Sequence, residues 1–134
     1  MTKHFLFLLS LLSSTASYTQ FAKSNEKVFK SISKANIARI PVTQLNLRDQ
    51  ELFYLNDSIK LLKYLTFLNL MNNHFDEWDS EIEKLTKLEI LNYYGNNLTY
   101  IPESIKKLKR LKKLEISKNK IKKLPVAIGK LKKN

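Results

Sequence analysis

From Val42 onward the sequence returns to the same phase every 23 residues, and this periodicity constrains the fold more than any other feature. The segments beginning at Val42, Leu65, Leu88 and Leu111 read VTQLNLRDQELFYLNDSIKLLKY, LTFLNLMNNHFDEWDSEIEKLTK, LEILNYYGNNLTYIPESIKKLKR and LKKLEISKNKIKKLPVAIGKLKK. One copy of such a pattern arises by chance, whereas a phase held over four copies does not. Each copy opens on an alternating stretch, the mark of a half-buried strand. Leu45 and Leu47, Leu68 and Leu70, Leu91 and Tyr93, and Leu114 and Ile116 therefore face one way. Later in each copy the apolar residues sit three apart, at Ile59 and Leu62, Ile82 and Leu85, Ile105 and Leu108, and Ile128 and Leu131. That spacing suits a short helix or 3-10 turn. No single copy can bury its own apolar set, so the copies must stack into one continuous core with a parallel sheet.

The shared frame, L-x-x-L-x-L-x-x-N-x-L-x-x-L/I-(P)-x-x-I-x-x-L-x-x, resembles the leucine-rich repeat in its 23-residue bacterial-type version, with Ile/Leu-Pro in the second half. The resemblance covers residues 42–134. It implies an α/β solenoid with a parallel β-sheet on the concave face and short helices or 3-10 turns on the convex face. It also implies non-catalytic protein–protein recognition through the concave face. Asn73, Asn96 and Asn119 occupy one column, with Gln50 in the first copy. An amide that donates and accepts at once can satisfy backbone groups where each strand turns inward. In the family this column forms an internal ladder. Trp78 shares the column of Leu55, Ile101 and Leu124 and is expected in the core, with Pro102 and Pro125 fixing the backbone just after it.

The segment before the repeats divides in two. Lys3 and His4 form a short positive start, Phe5 to Leu12 is apolar apart from Ser10, and Ser13 to Ala16 is small and polar. This is the order of a secretory signal peptide, too short to span a bilayer, with cleavage expected near Ala16. It predicts a secreted, periplasmic or cell-surface protein. Residues 17–41 are expected to cap the open end of the first copy, with helical spacing of Val28, Phe29, Ile32 and Ala35 and a stop at Pro41.

Composition narrows the chemistry. The chain has no cysteine, two histidines and two glycines. Thiol catalysis, Cys-ligated metals and glycine-rich phosphate loops are thereby removed, and a single usable imidazole speaks against a His-rich metal site or a Ser-His-Asp triad. No cofactor, no metal and no enzymatic role is expected. Among the acidic residues of the second copy, Asp79 sits where a cap belongs, with Glu81 and Glu83 in the first turn behind it.

Two surfaces are candidates for a partner. The strand positions facing away from the core place Asn46, Asn69, Asn92 and Glu115 in a polar column beside Arg48. Phe67, Met71, Ile90 and Tyr94 form an apolar and aromatic patch in the middle copies. Exposed apolar patches rimmed by polar groups are typical binding surfaces, and aromatic residues carry much of the interface energy. The competing reading is ordinary cross-strand packing. The second surface is electrostatic. The formal charge of +12 divides into +5 over residues 1–41, −4 over 42–100 and +11 over 101–134. Lys112, Lys113, Lys120, Lys122 and Lys123 charge the last copy, which keeps an open sheet edge from pairing with another copy. The rival is weak contact with anionic lipid, polyanionic glycan or nucleic acid. A third alternative is that the chain is a truncated piece of a longer repeat protein.

Overall fold

The computed structural model describes residues 26–131; the export segment predicted over 1–16, residues 17–25 of the capping segment and Lys132 and Lys133 lie outside them. Among the described residues the strands form one five-stranded parallel sheet in sequence order: β1 (Val28–Phe29), β2 (Gln44–Asn46), β3 (Phe67–Asn69), β4 (Ile90–Asn92) and β5 (Lys113–Glu115). The ladder keeps the repeat phase, pairing Leu45 with Leu68, Leu68 with Leu91 and Leu91 with Leu114. Behind the sheet run the 3-10 turns Asp57–Leu61, Ser80–Lys84 and Glu103–Lys107, one per copy; in the fourth copy the helix α2 (Ala127–Leu131) takes that place. The predicted solenoid is the observed one.

The core lies between these layers. Leu45, Leu68, Leu91 and Leu114 from the strands meet Ile59, Ile82, Ile105 and Ile128 from the convex segments, all buried in one apolar cluster. Each such side chain contributes roughly 1.5–3 kcal/mol by leaving water. Trp78, Phe75 and Tyr93 join them, the Tyr93 ring edge-on to Phe75 at 5.4 Å between centroids and tilted against Trp78 at 5.6 Å. Burial first, and the Asp79 carboxylate second, push the Tyr93 hydroxyl well above its ordinary pKa, so it stays neutral.

The Asn column is a ladder in fact. The Asn73 amide donates to the Leu47 and Leu70 carbonyls, both at 2.9 Å, and its Oδ1 accepts from the Gln50 and Leu52 N–H groups at 3.1 and 3.0 Å. Asn96 and Asn119 repeat the arrangement one and two copies on. Gln50 differs, as its extra methylene allows: it is exposed, and its Nε2 reaches out to the Lys30 carbonyl at 2.9 Å, tying the first copy to the cap.

The cap departs from expectation. Val28 and Phe29 do not continue a helix; they pair with Gln44 and Leu45 as β1, and only Ile32–Asn36 is helical (α1), capped by Ser31. The reason is the edge of β2, whose backbone groups β1 satisfies, as a helix could not. The other end departs too. Leu124 is 36% exposed whereas Leu55, Trp78 and Ile101 in its column are buried, because no further copy among the described residues covers it.

A second column escaped the sequence reading. Asp49, Asn72, Gly95 and Lys118, just past each strand, all adopt the left-handed conformation, with φ of 57°, 53°, 68° and 52°. Gly95 has a further reason: a Cβ there would lie 2.5 Å from Asn72 Oδ1. Lysine in this conformation is strained by about 1–2 kcal/mol, partly offset by the entropy a glycine would lose. Gly95→Ala is expected to lower stability by about 1–2 kcal/mol, measured as a shift in the urea midpoint.

Adjacent copies are also tied across the convex side. The Glu83 carboxylate takes Lys107 Nζ at 2.8 Å and the Ser104 hydroxyl, and its side chain is only 9% accessible. Burial pushes its carboxyl up, but these hydrogen bonds and the Lys107 charge outweigh burial and hold it below its ordinary value of 4.5. A carboxyl whose folded pKa is depressed stabilises the fold fully above its unfolded pKa. The contribution of Glu83 is therefore lost as pH falls from about 4.5 through the folded value. The urea midpoint is expected to drop over that window, with a shallower drop in Glu83→Gln; equal slopes in both proteins would remove this residue from the account.

Candidate binding face

The face of the sheet turned away from the core is built from the residues between the core leucines. Gln44, Phe67, Ile90 and Lys113 lie side by side across β2 to β5, and Asn46, Asn69, Asn92 and Glu115 form the next row. Arg48, Met71, Tyr94 and Ser117 follow. All nine residues predicted for the binding face therefore share one continuous surface. Its centre is apolar, at Phe67, Met71, Ile90 and Tyr94.

The centre is less open than expected. Phe67 is 5% exposed and Met71 4%, although neither belongs to the core cluster. Phe67 stands in the ladder between Gln44 and Ile90, and cross-strand neighbours at this spacing cover one another. Ile90 and Tyr94 remain half-buried and are the apolar groups a partner can reach. Lys118 places its ammonium over the Tyr94 ring at 5.2 Å, which holds the ring and puts a cation at its edge.

The polar column has a structural task. Asn46, Asn69 and Asn92 each accept the backbone N–H two residues on, at 3.2, 3.0 and 2.8 Å, from Arg48, Met71 and Tyr94. Glu115 does the same for Ser117 at 2.8 Å. These side-chain turns close each strand and explain the burial of Asn69 and Asn92. They also set where Met71 and Tyr94 begin the next turn.

Charge is unevenly placed along the face. Arg48 donates to the Asp49 carboxylate at 2.6 Å, and Asn72 donates to the same group at 2.9 Å. Burial pushes the Asp49 carboxyl up, yet these two hydrogen bonds and the Arg48 charge hold it below its ordinary value. At the other end stand Lys113 and Lys118, with Glu115 between them in sequence. A partner running across the sheet meets a neutralised pair first, then the apolar centre, then lysines.

One further surface was missed. A cleft of about 470 Å³ opens between α1 and the first copy, lined by Ile32, Leu47, Leu52, Phe53 and Tyr54 among others. Phe53 and Tyr54 are 64% and 76% exposed, and Phe53 stacks on His74 at 5.0 Å. Phe53 shares its column with Asp76, Thr99 and Lys122, so the outward frame itself was the available signal there, whereas the column of Tyr54 holds Glu77, Tyr100 and Lys123. As for metals, Asp79 caps the Ser80–Lys84 turn through the Glu81 N–H and also accepts from the Leu55 N–H at 2.7 Å. Among the described residues no three His, Asp or Glu side chains converge as metal ligands would.

Comparison with known proteins gives a consistent family. The Leucine Rich Repeat family matches residues 87–108. An LRR protein of Leptospira interrogans is similar at 34% identity with a TM-score of 0.72, over 79% of this chain and 27% of that one. The LRR ectodomain of the receptor kinase SOBIR1 from Arabidopsis thaliana is 30% identical with a TM-score of 0.50, over 61% of this chain and 45% of that one. A chain of the BIR3–SERK2 complex from Arabidopsis thaliana is 25% identical with a TM-score of 0.60, over 87% of this chain and 68% of that one. The chain thus spans about a quarter of the length of the Leptospira protein. No curated protein matches it.

Proposed function

Because this chain is a leucine-rich repeat protein whose copies stack beneath one parallel sheet, we propose that it is a non-catalytic binding module that engages another protein through its concave face. The observation that carries this reading is the half-buried pair Ile90 and Tyr94, set in an apolar strip with Phe67 and Met71 on the side of the sheet away from the core. A partner side chain laid there removes the remaining apolar surface from water, and a tyrosine at the centre of a face is the residue type that most often anchors an interface. The similar chains are an ectodomain of a receptor kinase and a member of a two-protein complex, uses that fit a concave recognition face. Export through the N-terminal segment, with cleavage near Ala16, places the module outside the cytoplasm in this proposal.

The experiment is an affinity capture from extract of the source organism, washed at low and then high salt. A discrete protein retained through high salt by the native chain and lost with Tyr94→Glu is the expected result. Tyr94 is chosen over Phe67 because a charge at the nearly buried Phe67 would disturb the fold. A second reading, weak attraction of anionic lipid, glycan or nucleic acid by the exposed Lys112, Lys120, Lys122 and Lys123 together with Lys113, predicts the opposite pattern: release as salt rises, and indifference to Tyr94.

A further inference from the structure

The corners where the convex turns lead back into the strands form a cationic edge. The register of β3, β4 and β5 places Tyr64, Lys87 and Arg110 side by side, three residues before Phe67, Ile90 and Lys113, with Lys63, Thr86 and Lys109 in the next column. Neighbours in such a column stand about 4.8 Å apart. Lys87 bears this out, with its Nζ 4.3 Å from the centre of the Tyr64 ring. The 3-10 turns behind add Lys60 and Lys106. Among the described residues none of Lys60, Lys63, Lys87, Lys106, Lys109 and Arg110 pairs with a carboxylate. The acids of the three turns are mostly engaged: Glu81 with Lys84, Glu83 with Lys107, and Glu103 with the Val126 and Ala127 N–H groups. Asp57 alone is left, at the start of the first turn. The exposed acids Glu51, Asp76 and Glu77 follow the strands, at the opposite edge. Leu61 and Tyr64 stand among the cations, 62% and 54% exposed, and Ile40, 51% exposed, holds the column of Lys63 one copy earlier.

We propose that this edge rests on a lipid bilayer carrying anionic headgroups. The six cations meet the headgroup phosphates, and each adds attraction within a Debye length of the surface. Leu61, Tyr64 and Ile40 reach past the headgroups to the acyl boundary, where aliphatic groups and an amphipathic tyrosine ring are both favoured. Lys87 over the Tyr64 ring keeps cation and aromatic together in that layer. The mixture of groups decides the occupant. A nucleic-acid duplex would use the charges and leave three exposed apolar side chains in water, whereas a bilayer interface uses both. The edge lies beside the concave face and not on it, so a chain docked this way keeps Ile90 and Tyr94 open to a partner. It depends neither on the reading given to Tyr94 nor on the lysines of the last copy.

The probe is a vesicle of equimolar phosphatidylcholine and phosphatidylglycerol, compared with phosphatidylcholine alone, titrated into the full chain carrying Tyr64→Trp. The apolar run Phe5 to Leu12 can enter either bilayer, so the readout is local to the edge: the emission of the introduced indole, over the constant background of the buried Trp78. Expected with the anionic vesicle are a blue shift of that indole and its quenching by bromine on the lipid acyl chains, both lost at high salt and absent with phosphatidylcholine alone. Lys63→Gln, Lys87→Gln and Lys109→Gln together should raise the lipid concentration at half-shift about a hundredfold, and Leu61→Ser about tenfold. Lys122→Gln with Lys123→Gln, and Tyr94→Glu, should each change it less than about threefold. No shift on the anionic vesicle, or an equal shift on phosphatidylcholine alone, would overturn the proposal. So would indifference to the triple variant or to Leu61→Ser, or a larger loss from Lys122→Gln with Lys123→Gln than from the triple variant. A tighter response of the same indole to a short RNA duplex than to the vesicle would overturn it in favour of nucleic acid.

Discussion

Asn96→Ala is expected to destabilise the fold by about 2–3 kcal/mol, a large share of a total stability of the order of 5–15 kcal/mol. The Asn96 amide donates to the Leu70 and Tyr93 carbonyls at 2.9 and 3.0 Å, and its Oδ1 accepts from the Phe75 N–H at 3.2 Å. Truncation strands the Phe75 N–H and removes one of two donors from each carbonyl, since Leu70 keeps the Asn73 amide and Tyr93 keeps the Asn119 amide. A buried donor left unsatisfied costs roughly 1–3 kcal/mol where water cannot replace the partner, and each weakened carbonyl adds up to about 1 kcal/mol. Asn119→Ala should cost less, because Asn119 is only half-buried and solvent can reach the groups it leaves. Urea unfolding of the two variants beside the native chain makes the comparison. A loss below about 1 kcal/mol at Asn96 would mean that the ladder decorates the stack rather than holding it.

Tyr93→Ala is expected to cost about 3–5 kcal/mol, the range for deleting a large aromatic side chain from a packed interior. Tyr93 stands where the other copies have Leu47, Leu70 and Ile116, and it is fully buried. Its ring fills the space between Phe75 and Trp78, both from the preceding copy. The second and third copies are therefore matched to each other, with larger residues on both sides of one junction. Tyr93→Leu restores the residue type of its column but leaves part of the space empty, so it should recover only part of the loss. Thermal or urea unfolding of both variants decides it. Equal stability of Tyr93→Leu and the native chain would show that the junction repacks freely.

These two effects rest on features readable in the sequence, since both follow from the 23-residue phase. Stacked copies place equivalent residues side by side, so a column read down the repeats is a prediction of contact. The core leucines, the convex isoleucines, the Asn ladder and the Asp79 cap were legible for that reason. The exceptions arose where a residue's job is local or where the repetition ends. Asn46, Asn69 and Asn92 were legible as a polar column on the face away from the core, but not the bond each makes to the backbone two residues on, which depends on dihedral angles and not on phase. The left-handed column was hidden because Lys118 shares it with Asp49, Asn72 and Gly95, and lysine carries no signal for that conformation. Val28 and Phe29 are too few to show alternation, and their spacing to Ile32 imitates a helix. Phe67 and Met71 lie on the side of the sheet away from the core, and their depth there depends on neighbours across strands rather than on position within a copy. Leu124 kept its column and lost its cover.

The central claim is that the concave face binds a protein, and the most direct measurement is amide hydrogen exchange of the full chain with and without the captured partner. Protection is expected to rise over residues 67–72 and 90–95, where β3, β4 and the turns behind them carry Phe67, Met71, Ile90 and Tyr94. Protection confined to the convex turns Asp57–Leu61, Ser80–Lys84 and Glu103–Lys107, with these strands unchanged, would contradict it.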